Sequence, residues 1–255
     1  MSKDEYLITD PPLKALTVFA MPMILGSFFQ QVYNMADSII VGQFVGSSAL
    51  AAVGACAAVT NVFICVALGA GVGAGVLVSR YFGAKEYGKM KTIVSTSLLS
   101  FLILSIVLGV FGVCFAHPMM RVLQTPADIL EEAVLYLRVY FAGFPFLFMY
   151  NILSTMFTSM GESKIPLGLL IFSSILNIFM DLWMVAGLGL GVFGAALATL
   201  IAQGLSAVLS LLIFFSRIRR YQSPFRWFDG QELRSMLQIA VPSVLQQSTV
   251  SIGMM

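Results

Sequence analysis

The sequence predicts an all-α polytopic membrane protein, a bundle of six transmembrane helices followed by the start of a seventh. Three observations carry this. The 255 residues are 59% hydrophobic and only 10% charged, against about 45–50% and about 25% in soluble domains, and the mean hydropathy is +0.94. Six segments each supply the roughly 20 predominantly apolar residues that a span requires. Lysine and arginine gather on alternate loops. A chain this apolar is not disordered. With a net charge of +2 and no separate basic domain, no nucleic-acid partner is expected; the expected partner is the lipid bilayer.

Residues 1–15 are polar and mildly acidic, unlike a cleavable signal peptide, and read as an N-terminal extension. The spans then cover residues 16–41, 49–79, 93–116, 133–157, 165–186 and 192–215. Together, residues 16–216 make one six-helix lobe. Residues 217–235 form a loop, and 236–255 begin a seventh span that is still running at Met255. Pro22, Pro145 and Pro242 fall inside spans, where each can kink a helix. Gly69, Gly71, Gly73 and Gly75 crowd the second span. No strand precedes them and no ribose-binding acid follows, so they read as small-residue helix packing rather than a nucleotide loop. Gly187, Gly189, Gly191 and Gly194 mark a tight turn into the sixth span.

Lys3, Lys14, Arg80, Lys85, Lys89, Lys91, Lys164, Arg217, Arg219, Arg220, Arg226 and Arg234 fall on one side, leaving Arg121 and Arg138 on the other. Basic loops stay in the cytoplasm, so the N-terminus and residues 217–235 are expected there, in a plasma (inner) membrane. Cys56, Cys65 and Cys114 lie in apolar runs and read as small buried hydrophobes. His117 is the single histidine, so no zinc site is expected.

The first and last spans repeat one another at a constant offset of 220 residues. Leu13-Lys14-Ala15-Leu16 matches Leu233-Arg234-Ser235-Met236, and Phe19-Ala20-Met21-Pro22 matches Ile239-Ala240-Val241-Pro242. Six spans separate the copies, so both start on the same side, a parallel repeat about an axis along the membrane normal. The expectation is a protein of twice the repeat, with a C-terminal lobe of the same chain as this lobe's partner.

Asp37 and Asp181 are the two acids well inside predicted spans. A charge at the bilayer centre costs about 2.5–3.5 kcal/mol on insertion scales and normally faces a cavity or a partner. Gln30, Asn34 and Asp37 share one helix face, as do Asn177 and Asp181, with Ser173 and Ser174 a turn earlier. Thr199 and Gln203 pair on the sixth span. Converging, these faces would line a hydrated pocket able to load a proton or to hold a hard monovalent cation such as sodium. Interhelical hydrogen bonding is the competing reading. Fifteen methionines and twenty-one phenylalanines, with Met180 beside the polar faces, suit an adaptable apolar lining.

On these residues the sequence resembles the multidrug and toxic compound extrusion (MATE) family, of the DinF-like kind. The first span carries Pro22-Met23-Ile24-Leu25 and Val32-Tyr33-Asn34-Met35-Ala36-Asp37-Ser38-Ile39-Ile40-Val41-Gly42. The second opens Leu50-Ala51-Ala52-Val53-Gly54. The fourth has Tyr136-Leu137-Arg138, Gly143 and Pro145, leading into Gly161-Glu162-Ser163-Lys164-Ile165-Pro166. The fifth has Asn177-Ile178-Phe179-Met180-Asp181, and the sixth Gly191-Val192-Phe193-Gly194-Ala195-Ala196-Leu197-Ala198-Thr199.

The resemblance implies the N-lobe of a twelve-helix, two-lobed antiporter. Such a protein takes up protons or sodium ions in exchange for organic, often cationic and amphipathic compounds, without a cofactor. It implies a cation site of Asp37, Tyr136, Asn177, Asp181 and Thr199, with sodium, if that is the ion, held by Asp37, Asn177, Asp181 and Thr199. Gln30, Asn34, Met180 and Gln203 are candidates for the substrate cleft. A flippase for a lipid-linked precursor shares the architecture but would carry a more cationic cavity than this half shows. An intramembrane aspartic protease lacks its signature here, since Phe179-Met180 precede Asp181. No enzyme activity is therefore expected.

Overall fold

The computed structural model describes residues 11–221 and 223–253. Residues 1–10 (with Lys3), Gln222 and the chain end at Met255 lie outside the described residues. The elements are α1 (Pro12–Phe44), α2 (Ser47–Gly83), α3 (Tyr87–Val122), α4 (Leu130–Ala142), α5 (Phe144–Ser159), α6 (Lys164–Asp181), a π-helical turn (Leu182–Gly187), α7 (Gly191–Ile218) and α8 (Gly230–Gly253). By length and apolarity α1, α2, α3, α6 with its π turn, and α7 can each cross a membrane, and α4 with α5 makes a sixth span bent by 51°. The all-α six-span expectation therefore holds, with the fourth span broken in two.

The break has a local cause. Pro145 lies in the first turn of α5, has no N–H, and so takes the helical donor from the Phe141 carbonyl. Gly109 of α3 makes room for that carbonyl, because a Cβ there would sit 2.9 Å from it. The bend stacks Phe141, Phe144 and Phe148 into the core, with centroids 4.6 and 5.6 Å apart between neighbours, and all three are fully buried. Pro22 and Pro242, by contrast, lie inside unbroken helices.

The helix ends correct three sequence boundaries. α1 reaches back to Pro12, inside residues 1–15, because proline at the first turn needs no N–H partner. α7 runs on to Ile218. α8 starts at Gly230 because the Asp229 carboxylate accepts the Gln231 N–H at 2.9 Å, an N-cap. The loop thus shrinks from 217–235 to 219–229. Among the described residues α8 is not one of the helices apolar enough to span; Gln238, Gln246 and Gln247 dilute its hydropathy.

α2 sits at the centre of the packing. Its glycines fall on two faces. A Cβ at Gly69 would lie 2.5 Å from the Val244 backbone, and one at Gly73 would lie 2.7 Å from the Met236 carbonyl, so this pair seats α8. A Cβ at Gly75 would lie 2.7 Å from Thr155 Cγ2, so the other face seats α5. The small-residue reading of this stripe stands. Within this chain α1 packs mainly on α6, and α8 packs on α2.

The 219–229 loop is fastened to the first turns of α3. The Thr92 hydroxyl accepts the Arg226 N–H (3.1 Å), the Thr96 hydroxyl accepts the Asp229 N–H (3.0 Å), and the Ser95 hydroxyl donates to the Trp227 carbonyl (2.6 Å).

Candidate functional site

α1, α4, α6 and α7 converge near the end of the bundle opposite the basic loops. α6 ends on Asp181, where the chain passes into the π turn. The Leu188 N–H reaches the Trp183 carbonyl (2.9 Å) and the Leu190 N–H reaches that of Met184 (3.0 Å). Gly189 and Gly191, at φ +66° and +57°, take the left-handed backbone that closes this turn. π turns concentrate at functional positions, and this one sets α7 so that Thr199 faces Asn177.

The buried polar group is built from there. With the Asn177 amide nitrogen turned toward α6, it donates to Asp181 Oδ2 at 2.8 Å; its oxygen accepts from the Thr199 hydroxyl (3.3 Å) and backbone N–H (3.2 Å). Asp181, Asn177 and Thr199 are 0%, 1% and 7% exposed. Asp37, half-buried on α1, comes within hydrogen-bonding range of Asp181. Tyr136 of α4 lies beside Asp37 and stacks on Tyr140, with centroids 6.2 Å apart and planes 18° apart. An apolar cluster of Ile40, Val41, Ala49, Val185, Val192 and Ala195 packs against Tyr136 and closes the site on one side.

The five residues expected at the cation site, Asp37, Tyr136, Asn177, Asp181 and Thr199, are thus brought together. The four cleft candidates are not part of this group. Gln30 and Asn34 are exposed, the Gln30 amide donating to Asn34 Oδ1 at 3.4 Å. Met180 and Gln203 are half-buried. The face of α1 that meets α7 is instead Tyr33–Asp37, and Tyr33 lies near Thr199. Sequence reasoning missed Tyr33, although its i, i+4 relation to Asp37 was the available signal. Ser174 is buried but turns its hydroxyl back to the Leu170 carbonyl (2.8 Å), and the Ser173 hydroxyl reaches the Ala202 carbonyl (3.5 Å).

The free ligand atoms of the group are carboxylate oxygens: Oδ1 of both Asp37 and Asp181 is buried without a hydrogen-bond partner. Two ionised carboxylates this close and withdrawn from water would leave uncompensated charge. One proton shared between them, or one hard monovalent cation, removes that conflict. Among the described residues no group of three or more His, Cys, Asp and Glu side chains forms a metal cluster.

Comparison with known proteins follows the same lines. The family model MatE matches residues 22–183. The probable multidrug resistance protein YoeA of Bacillus subtilis (strain 168) is 27% identical over 253 residues, covering 94% of this chain and 54% of the relative. The multidrug export protein MepA of Staphylococcus haemolyticus (strain JCSC1435) is 28% identical over 250 residues, covering 95% and 55%. The crystal structure of MATE in complex with MaL6 superposes with a TM-score of 0.91 at 28% identity, over 100% of this chain and 57% of that one. The chain spans about half the length of the curated relatives it matches.

Proposed function

The chain belongs to the MatE family, and from that premise we propose that the whole protein is a cation-coupled antiporter. It exports organic, cationic and amphipathic compounds across the plasma membrane, with the N-terminus cytoplasmic and a second lobe completing the cleft. The observation that supports the reading is the Asp37–Asp181 carboxyl pair, Asp181 buried and Asp37 half-buried, with Oδ1 of each shut off from solvent and unpartnered. A coupling site inside this lobe is also what the DinF-like kind of transporter requires.

In this mechanism the coupling ion, H⁺ or Na⁺, binds between the two carboxyls, with Asn177 and Thr199 supplying neutral oxygen and Tyr33 and Tyr136 closing the group. The pair joins helices that pack unequally. α6 is held by α7, whereas most of α1 is exposed and rests mainly on α6. Neutralising the pair changes what holds α1 against α6, and an ion that binds one arrangement better than the other shifts their populations. Gln30 and Asn34, exposed on the open side of α1, face the cleft that substrate would occupy.

The test is dye efflux from cells expressing the whole protein, with pH and sodium gradients imposed separately. Asp37→Asn and Asp181→Asn should each abolish gradient-driven efflux while inserting normally, and the gradient that drives wild type identifies the ion. Wild-type efflux in both variants would remove the coupling role from this pair.

A further inference from the structure

We propose that the 219–228 loop is a binding surface for anionic phospholipid headgroups in the leaflet at the basic end of the bundle. The apolar run of α3 starts at Ile93, and the loop's backbone is hydrogen-bonded to Thr92, Ser95 and Thr96. Those bonds hold Trp227 level with the first apolar turn of α3, where hydrocarbon gives way to headgroups.

At that level the loop shows three aromatic rings outward. Trp227 is 77% exposed, and Phe228 and Phe225 are exposed beside it. Trp227 and Phe225 pack at 5.4 Å between centroids. Aromatic rings, tryptophan above all, settle at this boundary, so the exposure is explained by lipid rather than left as an apolar patch in water.

Charge selects the lipid. Arg219 and Arg220 are exposed at the end of α7, and the Arg226 side chain is 81% exposed. Lys91 sits over the Phe225 ring at 5.3 Å, which places a fourth cation on the same surface. The neighbouring acids are engaged: Asp229 pairs with Arg226 at 3.6 Å, Glu232 accepts from the Tyr81 hydroxyl at 2.8 Å, and Glu86 pairs with Lys89 at 2.8 Å. Five cations (Arg219, Arg220, Arg226, Lys89 and Lys91) outnumber the three acids on this surface, so it is net positive; its guanidinium groups suit phosphate, and basic residues near a membrane favour anionic lipid.

Tryptophan fluorescence tests this without reference to transport. The whole protein is placed in nanodiscs of phosphatidylcholine containing either brominated phosphatidylglycerol or brominated phosphatidylcholine. The Trp227 component is read as wild type minus Trp227→Phe. Brominated phosphatidylglycerol should quench this component at a lower mole fraction than brominated phosphatidylcholine. Replacing Arg226 by Gln should raise that mole fraction roughly fivefold, and Arg219→Gln and Arg220→Gln should act the same way. The Trp183 component, from the opposite end, should show no preference. Equal quenching of Trp227 by both lipids, or quenching by neither, overturns the proposal.

Discussion

At the residue scale, the proposed coupling site is a few oxygen atoms, of which Oδ1 of Asp37 and of Asp181 are buried without a hydrogen-bond partner. Thr199 bonds to Asn177, and through Asn177 reaches Asp181. Removing its hydroxyl deletes one neutral ligand and leaves the carboxyl pair in place. Thr199→Ala should therefore weaken coupling-ion affinity roughly fivefold, the size of one net hydrogen bond, with folding retained; a titration of ion binding by the whole protein checks this. Tyr33→Phe removes the phenol near Thr199 and should weaken that affinity by no more than Thr199→Ala does, read in the same titration. The carboxyl residues were legible in the sequence because acids inside apolar runs are costly and stand out. Tyr33 was not, because a tyrosine in such a run reads equally as interfacial anchor or lining, and only the docking of α1 on α7 decides between them.

At the element scale, the close approaches on α2 make a sharp contrast. A Cβ at Gly73 would fall 2.7 Å from the Met236 carbonyl, whereas at Gly168 on α6 it would meet nothing within 4 Å. Gly73→Ala should destabilise by about 1–3 kcal/mol through overpacking. Gly168→Ala should stabilise by about 0.5–1 kcal/mol through helix propensity. Thermal unfolding of the two variants in detergent reads the opposite signs directly. The loop's fastening to α3 gives a second case. Thr96→Ala removes the acceptor of the Asp229 N–H, so hydrogen exchange at that amide should speed up roughly fivefold, again one hydrogen bond. Spans were readable from composition alone, since lipid filters helices by apolarity. The break at Gly143 was readable only as a kink at Pro145, because its angle depends on how Phe141 and Gly109 accommodate the freed carbonyl. The fastening by Thr92, Ser95 and Thr96 left no pattern in the sequence: a helix hydroxyl commonly bonds its own backbone, as Thr92 does to the Gly88 carbonyl, and the further partners are backbone atoms more than a hundred residues away.

At the scale of the whole molecule, the parallel repeat and the carboxyl pair belong to one design. The repeated first helices use proline at equivalent positions. α1 brings Asp37 toward Asp181, and α8 is seated by the glycine face of α2. On the proposed mechanism, an ion between Asp37 and Asp181 would act on the joint between α1 and α6. The central claim is that this pair holds the exchangeable ion. Infrared difference spectroscopy of the whole protein in bilayers, stepped in pH and then in sodium, addresses it most directly. The account predicts a protonated-carboxyl band that disappears on raising pH or adding the coupling ion, and that is lost or shifted in both Asp37→Asn and Asp181→Asn. A band that survives in both variants, or no carboxyl band responding to either ion, would contradict it.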